Sequence, residues 1–247
     1  MRSSHTILLY FSVEVSPSSA RVRRRRRFLE FEILYLLGGK TALADYRTIR
    51  GTASFTYEEK RSRFIGAAAH VEGEEEALAF LEKVRAANRT ARHNVYAYVL
   101  ANGRARYSDD GEPAKTAGTP VLEAISHAGL SDVIVVVTRY FGGILLGTGG
   151  LVQAYTAAAS GALNAAEIVT MREVIDCAVT VPYPQFEPAR QCIERAGARL
   201  ADPEFADAVT LRWTMPAGTE SPLLAALGEL TRGAAAVQVG PAHHAPF

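Results

Sequence analysis

Three carboxylates, Asp109, Asp110 and Glu112, fall within four positions of the segment SDDGEP (Ser108–Pro113). Carboxylates at that density can ligate a hard cation such as magnesium, or divide acid and base roles between them. They also suit an acidic turn in which Asp and Gly satisfy the local geometry. The spacing is not that of an EF-hand, so no calcium loop is expected and no metal is assigned. Lys115 and Thr116 continue the same polar loop, which runs to Gly118. A second candidate is His93, within Arg92-His93-Asn94 and just ahead of an apolar run. A histidine so placed is more often a hydrogen-bonded structural residue than a catalyst. No cysteine lies near it, and there is no G-x-S-x-G nucleophile elbow.

The third candidate is TRYFGGILLGTGGLVQAY (Thr138–Tyr155). It follows DVIVVV (Asp132–Val137), a continuous apolar run that reads as a buried strand. Gly142, Gly143, Gly147, Gly149 and Gly150 crowd the turn before an apolar-periodic helix. Strand, glycine-rich turn and helix can form an anion site, because glycine lets the backbone approach a ligand and the first helical N–H groups point at it. The run is neither a P-loop nor a dinucleotide fingerprint, and close packing alone also explains it. Arg139 at the strand end could hold a phosphate. Tyr140 and Phe141 could stack on a base or cover the core.

The elements that must position these residues are legible from periodicity. Thr48–Tyr57, Arg63–Val71 and Asn94–Ala101 read as strands, and Gly73–Ala87 as a helix with Glu74, Glu75 and Glu76 at its positive end. Another helix opens at Thr119-Pro120, and the glycine-rich turn leads into one running to about Glu167. Beyond Val169–Glu173 a second periodic unit gives strand 174–181, helix 184–196, a short strand near 199–201, strand 208–215, helix 221–230 and strand 235–239. That β-α-β-β-α-β order is ferredoxin-like.

Composition bounds the class. The chain has 247 residues, 48% hydrophobic and 21% charged, which suits a globular protein of one large or two ordinary domains. Two cysteines, Cys177 and Cys192, exclude a disulfide framework and fit a cytoplasmic location. No run is long and apolar enough to suggest a membrane span. The net charge of +1 is uneven. Residues 1–44 carry eight of the 27 basic and three of the 26 acidic residues, leaving a net of −4 beyond them. The basic excess lies in ARVRRRRRF (Ala20–Phe28), which reads as a solvated tail or an anion-binding arm. Residues 1–44 are expected outside the folded unit, as a disordered extension or a mis-called start.

Four segments together resemble the YigZ/IMPACT family. They are KRSRFIG (Lys60–Gly66), ARHNVYAYV (Ala91–Val99), SDDGEPAKTAGTPVL (Ser108–Leu122) and VTRYFGGILLGTGGLVQAY (Val137–Tyr155). The resemblance implies an α+β protein of two domains. Residues 45–171 would be like the second domain of a small-subunit ribosomal protein. Residues 172–240 would be ferredoxin-like, as in the final domain of elongation factor G, with 241–247 a frayed tail. It also implies a Gly at the position of Lys115, so a positive φ there would strain this chain. Eukaryotic members of the family regulate translation by competing for an activator of the kinase that phosphorylates initiation factor two. The expected function is therefore a non-enzymatic, RNA- or ribosome-associated regulator of translation without a cofactor. Its partners would be RNA, the ribosome or a translation-related protein. The site would be drawn from His93, Asp109, Asp110, Glu112, Lys115, Thr116, Arg139, Tyr140, Gly142, Gly143, Gly147 and Gly149. The alternative is a small enzyme acting on a phosphorylated or nucleotide-like substrate, with magnesium.

Overall fold

The structure, a computed structural model, describes residues 45–247, and the expectations for residues 1–44 lie outside them. Two sheets organise these residues. The first has the order β2-β3-β6-β4-β5, with every pair antiparallel. Its strands are β2 (Thr52–Glu59), β3 (Ser62–His70), β4 (His93–Val99), β5 (Ala105–Ser108) and β6 (Val133–Tyr140). Helices α2 (Gly118–Ala128) and α3 (Gly147–Asn164) cover one face, where Val121, Ile125, Leu151 and Tyr155 pack with Phe64, Val95, Val133, Val135 and Val137. Helix α1 (Glu74–Ala87) covers the other face, where Ala77, Leu81 and Val84 meet Tyr96, Tyr98, Ile134 and Val136. Both faces of β6 are therefore buried. That is why it reads as an unbroken apolar run rather than an alternating one.

The second sheet is built on β7 (Glu167–Val181), β8 (Arg199–Leu200), β10 (Val209–Pro216) and β11 (Gln238–Val239). In space they follow the order β11-β7-β10-β8, all antiparallel. With α4 (Tyr183–Arg195) and α5 (Ser221–Thr231) on one face, this is the ferredoxin-like arrangement expected. A two-residue strand β9 (Glu204–Phe205) adds to β10.

Three local expectations are corrected. The stretch Thr48–Tyr57 is not one strand: Gly51, at φ +65°, divides it into β1 (Tyr46–Arg50) and β2. β1 joins the second sheet, pairing with the first five residues of β7, while β2 stays in the first sheet. The residues read as a frayed tail contain β12 (His243–Pro246), which pairs with Met171–Val174. β5 (Ala105–Ser108) went unread: it lies between the strand read over Asn94–Ala101 and the polar loop read from Ser108. The expected boundary between residues 171 and 172 lies within β7, a continuous strand of 15 residues. Asp132 at the start of β6 fastens β1 to the first sheet. Tyr46 Oη donates to its Oδ2 at 2.5 Å, the Ala101 N–H to its Oδ1 at 2.7 Å, and Thr48 Oγ1 to its carbonyl at 3.2 Å.

The seam between β3 and α3 has no spare room. A Cβ at Gly66 would overlap the Ala158 carbonyl and press on Ala162. Because the obstacle is helical backbone, relief requires moving α3 as a body. Gly66→Ala should lower stability by about 1–3 kcal/mol in urea denaturation, the usual cost of overpacking. An unchanged midpoint would show that the seam can open.

Candidate functional site

The first sheet ends where β6 finishes and β3 and β4 begin. Arg63 faces Tyr140 and His93 faces Arg139 across the ladder. The loop Asp109–Ala117 folds over this end. Asp109 holds the loop through backbone donors alone. Its Oδ2 accepts from Lys115 N–H at 2.9 Å, and its Oδ1 from Ala117 and Gly118 N–H at 3.1 and 2.8 Å. Ala117, at the N-terminus of α2, has no side chain able to cap the helix, so Asp109 supplies a cap from eight or nine residues upstream.

Asp110 fixes the loop to β4. Its Oδ2 accepts from Asn94 N–H at 2.6 Å, and Arg85 reaches its Oδ1 at 3.3 Å. His93 Nδ1 lies 2.7 Å from the Asp110 carbonyl. A carbonyl only accepts, so Nδ1 carries the proton. Thr116 Oγ1 donates to the Pro113 carbonyl at 2.6 Å. Lys115 sits at φ +64°, the left-handed conformation that glycine adopts without strain.

Beneath the loop is a buried ion pair. Arg139 Nη1 lies 2.6 Å from Glu112 Oε1, with side chains 9% and 4% exposed. Tyr155 Oη, from α3, donates to the same oxygen at 2.7 Å. Burial, with the Glu112 charge beside it, holds the Tyr155 phenol far above its usual range. The Arg139 guanidinium lies over the rings of Phe64, 5.4 Å from the centroid, and Phe141, at 5.6 Å. Its Nε is buried without a partner.

The glycine-rich turn divides by role. Gly142 N–H donates to Ser62 Oγ at 3.2 Å, and any Cβ there would overlap the Arg61 backbone. Gly143 and Gly147 have φ of +82° and +75°. Gly149 faces open space. Tyr140 Oη donates to Asn88 Oδ1 at 2.8 Å, and Arg63 lies over its ring at 4.9 Å.

The end of the sheet thus gathers His93, Asp109, Asp110, Glu112, Lys115, Thr116, Arg139 and Tyr140. One expectation is corrected. Glu112, Thr116 and Arg139 are buried, so Arg139 is not an exposed phosphate clamp. Among the described residues no group of His, Cys, Asp or Glu is arranged to hold a metal ion. The carboxylates accept from backbone, arginine or tyrosine instead.

The cations lie outside. Lys60, Arg61, Arg63, Arg89, Arg92 and Lys115 are all exposed. None of them belongs to any of the ion pairs found among the described residues. Glu58 and Glu59, at the end of β2, are the acids nearest Lys60, Arg61 and Arg63 in sequence. Sequence reasoning named Lys115 but passed over the rest of this rim, and over Tyr155, which reads as an ordinary core position. The signal for the rim was the recurrence of Lys and Arg at the starts of strands that share one end of the sheet.

Three substitutions test this construction. Glu112→Ala should cost about 3–5 kcal/mol, because it strands Arg139 as a buried, uncompensated charge. Tyr155→Phe, which removes one hydrogen bond, should cost about 1 kcal/mol. Equal costs in chemical denaturation would contradict the ion pair as the dominant contact. Lys115→Gly should raise stability by about 1 kcal/mol by removing left-handed strain. A loss would show that the Lys side chain offsets it.

Known proteins share this framework. Residues 60–163 match the Impact N-terminal domain, and residues 179–234 match DUF1949, a domain of unknown function. The IMPACT family member in the pol 5' region of Thermus thermophilus is 41% identical over 175 residues, covering 70% of this chain and 96% of that protein. IMPACT family member YigZ of Escherichia coli is 37% identical over 182 residues, covering 71% and 88%. A crystal structure of a hypothetical protein, 33% identical, superposes with a TM-score of 0.54 over 80% of this chain and 97% of that one. With its α+β first domain, its ferredoxin-like second unit and relatives matched over nearly their whole length, the chain belongs to the IMPACT family.

Proposed function

We propose that the protein is a non-enzymatic, RNA- or ribosome-associated regulator of translation. Its contact surface in this reading is the basic end of the first sheet. The observation that carries it is the separation of charge there. Asp109, Asp110 and Glu112 are bound inward, whereas Lys60, Arg61, Arg63, Arg89, Arg92 and Lys115 are exposed and outside the ion pairs found among the described residues. Exposed cations around a polar loop are suited to phosphates, and each contact made adds to the salt dependence of binding. The net of −4 beyond residue 44 argues for few contacts and modest affinity rather than broad, sequence-blind binding.

The enzyme alternative is the weaker reading. A general base or metal ligand needs free lone pairs aimed at substrate. The carboxylates here accept from backbone N–H groups, Arg85, Arg139 and Tyr155.

The test is a salt series of structured-RNA and ribosome binding by the full chain. The variant Arg63→Ala/Arg89→Ala/Arg92→Ala should lower the slope of log K against log salt by roughly two to three and weaken binding at least about tenfold. A companion variant with Arg23–Arg27 replaced by Ser should retain the rim-dependent part. Binding that vanishes only in the companion would move the activity to the N-terminal arginine run. Turnover of a phosphorylated metabolite without RNA binding would favour the enzyme.

A further inference from the structure

We propose that the rim recognises an unpaired RNA base, stacked on the outer face of Phe141, rather than a continuous duplex; this rests on the RNA reading above. Phe141 is the first residue after β6 and is 46% exposed. One face of the ring is occupied: the Arg139 guanidinium lies over it, 5.6 Å from the centroid, and also over Phe64, at 5.4 Å. Glu112 holds Arg139, so the cation under the ring is fixed. Gly142 fixes the backbone that follows, since its N–H bonds to Ser62 Oγ and no Cβ fits against Arg61. The result is an aromatic platform set before any ligand arrives, so little ordering is lost on binding.

The surroundings select the occupant. Ile144 and Leu145, 43% and 82% exposed, extend an apolar edge past Phe141. Arg61 and Arg63 lie exposed on the turn and strand that Gly142 and Tyr140 touch, within the rim of cations. An apolar platform with the exposed Arg61 on the turn that Gly142 touches, and Arg63 over Tyr140 on the other face of the strand, suits a ligand that presents a flat π face beside phosphates. A basic protein surface is disfavoured twice. The rim repels it, and a ring already polarised by a cation on one face is a poor site for a second cation on the other. An A-form duplex also fits badly, because its base faces are closed by stacking. Unpaired bases can be splayed onto aromatic rings.

The test compares two probes of equal charge on the full chain: an RNA hairpin with an unpaired loop carrying 2-aminopurine, and a blunt duplex of the same nucleotide count. The wild type should favour the hairpin and change the 2-aminopurine fluorescence. Phe141→Ala should weaken hairpin binding roughly 5- to 100-fold, the span expected for loss of one stacked base. It should leave duplex affinity and the hairpin salt slope unchanged, and Phe141→Trp should restore hairpin binding. An alanine variant that keeps the hairpin preference, or loses both probes equally, overturns the proposal while leaving RNA binding intact. So does displacement of the hairpin by an acidic, leucine-rich peptide without any 2-aminopurine response, which would assign the platform to a protein partner. Failure of the wild type to bind either probe overturns the RNA reading itself.

Discussion

The buried pair of Arg139 and Glu112 is the constraint on which this end of the molecule depends. Taking two charges out of water is costly, and the pair persists only because each charge meets the other at close range and Tyr155 adds a donor. Three elements are tied by that contact: β6 through Arg139, the Asp109–Ala117 loop through Glu112, and α3 through Tyr155. Loop, strand and helix cannot drift apart without stranding a charge. Asp109 and Asp110 reinforce the closure by satisfying backbone donors that would otherwise be orphaned.

An electrostatic consequence follows. The acids of the loop are drawn inward and neutralised by donors, while nearby lysines and arginines stay outside. A chain whose residues beyond 44 sum to −4 therefore presents a locally basic surface. The same region holds Lys60, Arg61, Asp110 and Lys115 at positive φ, four of the six non-glycine residues so placed among the described residues. Such conformations cost about 1–3 kcal/mol each and survive where surrounding contacts over-determine them. Lys60 and Arg61 form the two-residue turn between β2 and β3, where positive φ at both positions matches the twist of the hairpin.

Much of the fold was legible. The run Asp132–Val137 announced a strand covered on both faces, and the alternation beyond Val174 spelled out the ferredoxin-like order. The break at Gly51 was less visible, because one glycine in an extended stretch does not show that the halves join different sheets. His243–Pro246 has no strand pattern of its own and gains its conformation from the long edge of β7. The site was partly readable. Its polar motifs stood out by composition, but pairing between Glu112 and Arg139 spans 27 positions and is a tertiary fact. Without that pairing, Arg139 looked like a free cation, and the cations that do face solvent looked like scattered surface charge.

The most direct measurement of the account is ultraviolet crosslinking of the full chain to RNA in cells, followed by mapping of the crosslinked peptides. The account predicts crosslinks on Arg61–Arg63, Arg89–Arg92 and Phe141–Leu145, three segments distant in sequence that share the basic end of the first sheet. Crosslinks confined to Arg23–Arg27 or to the second sheet, with none on those segments, would contradict it.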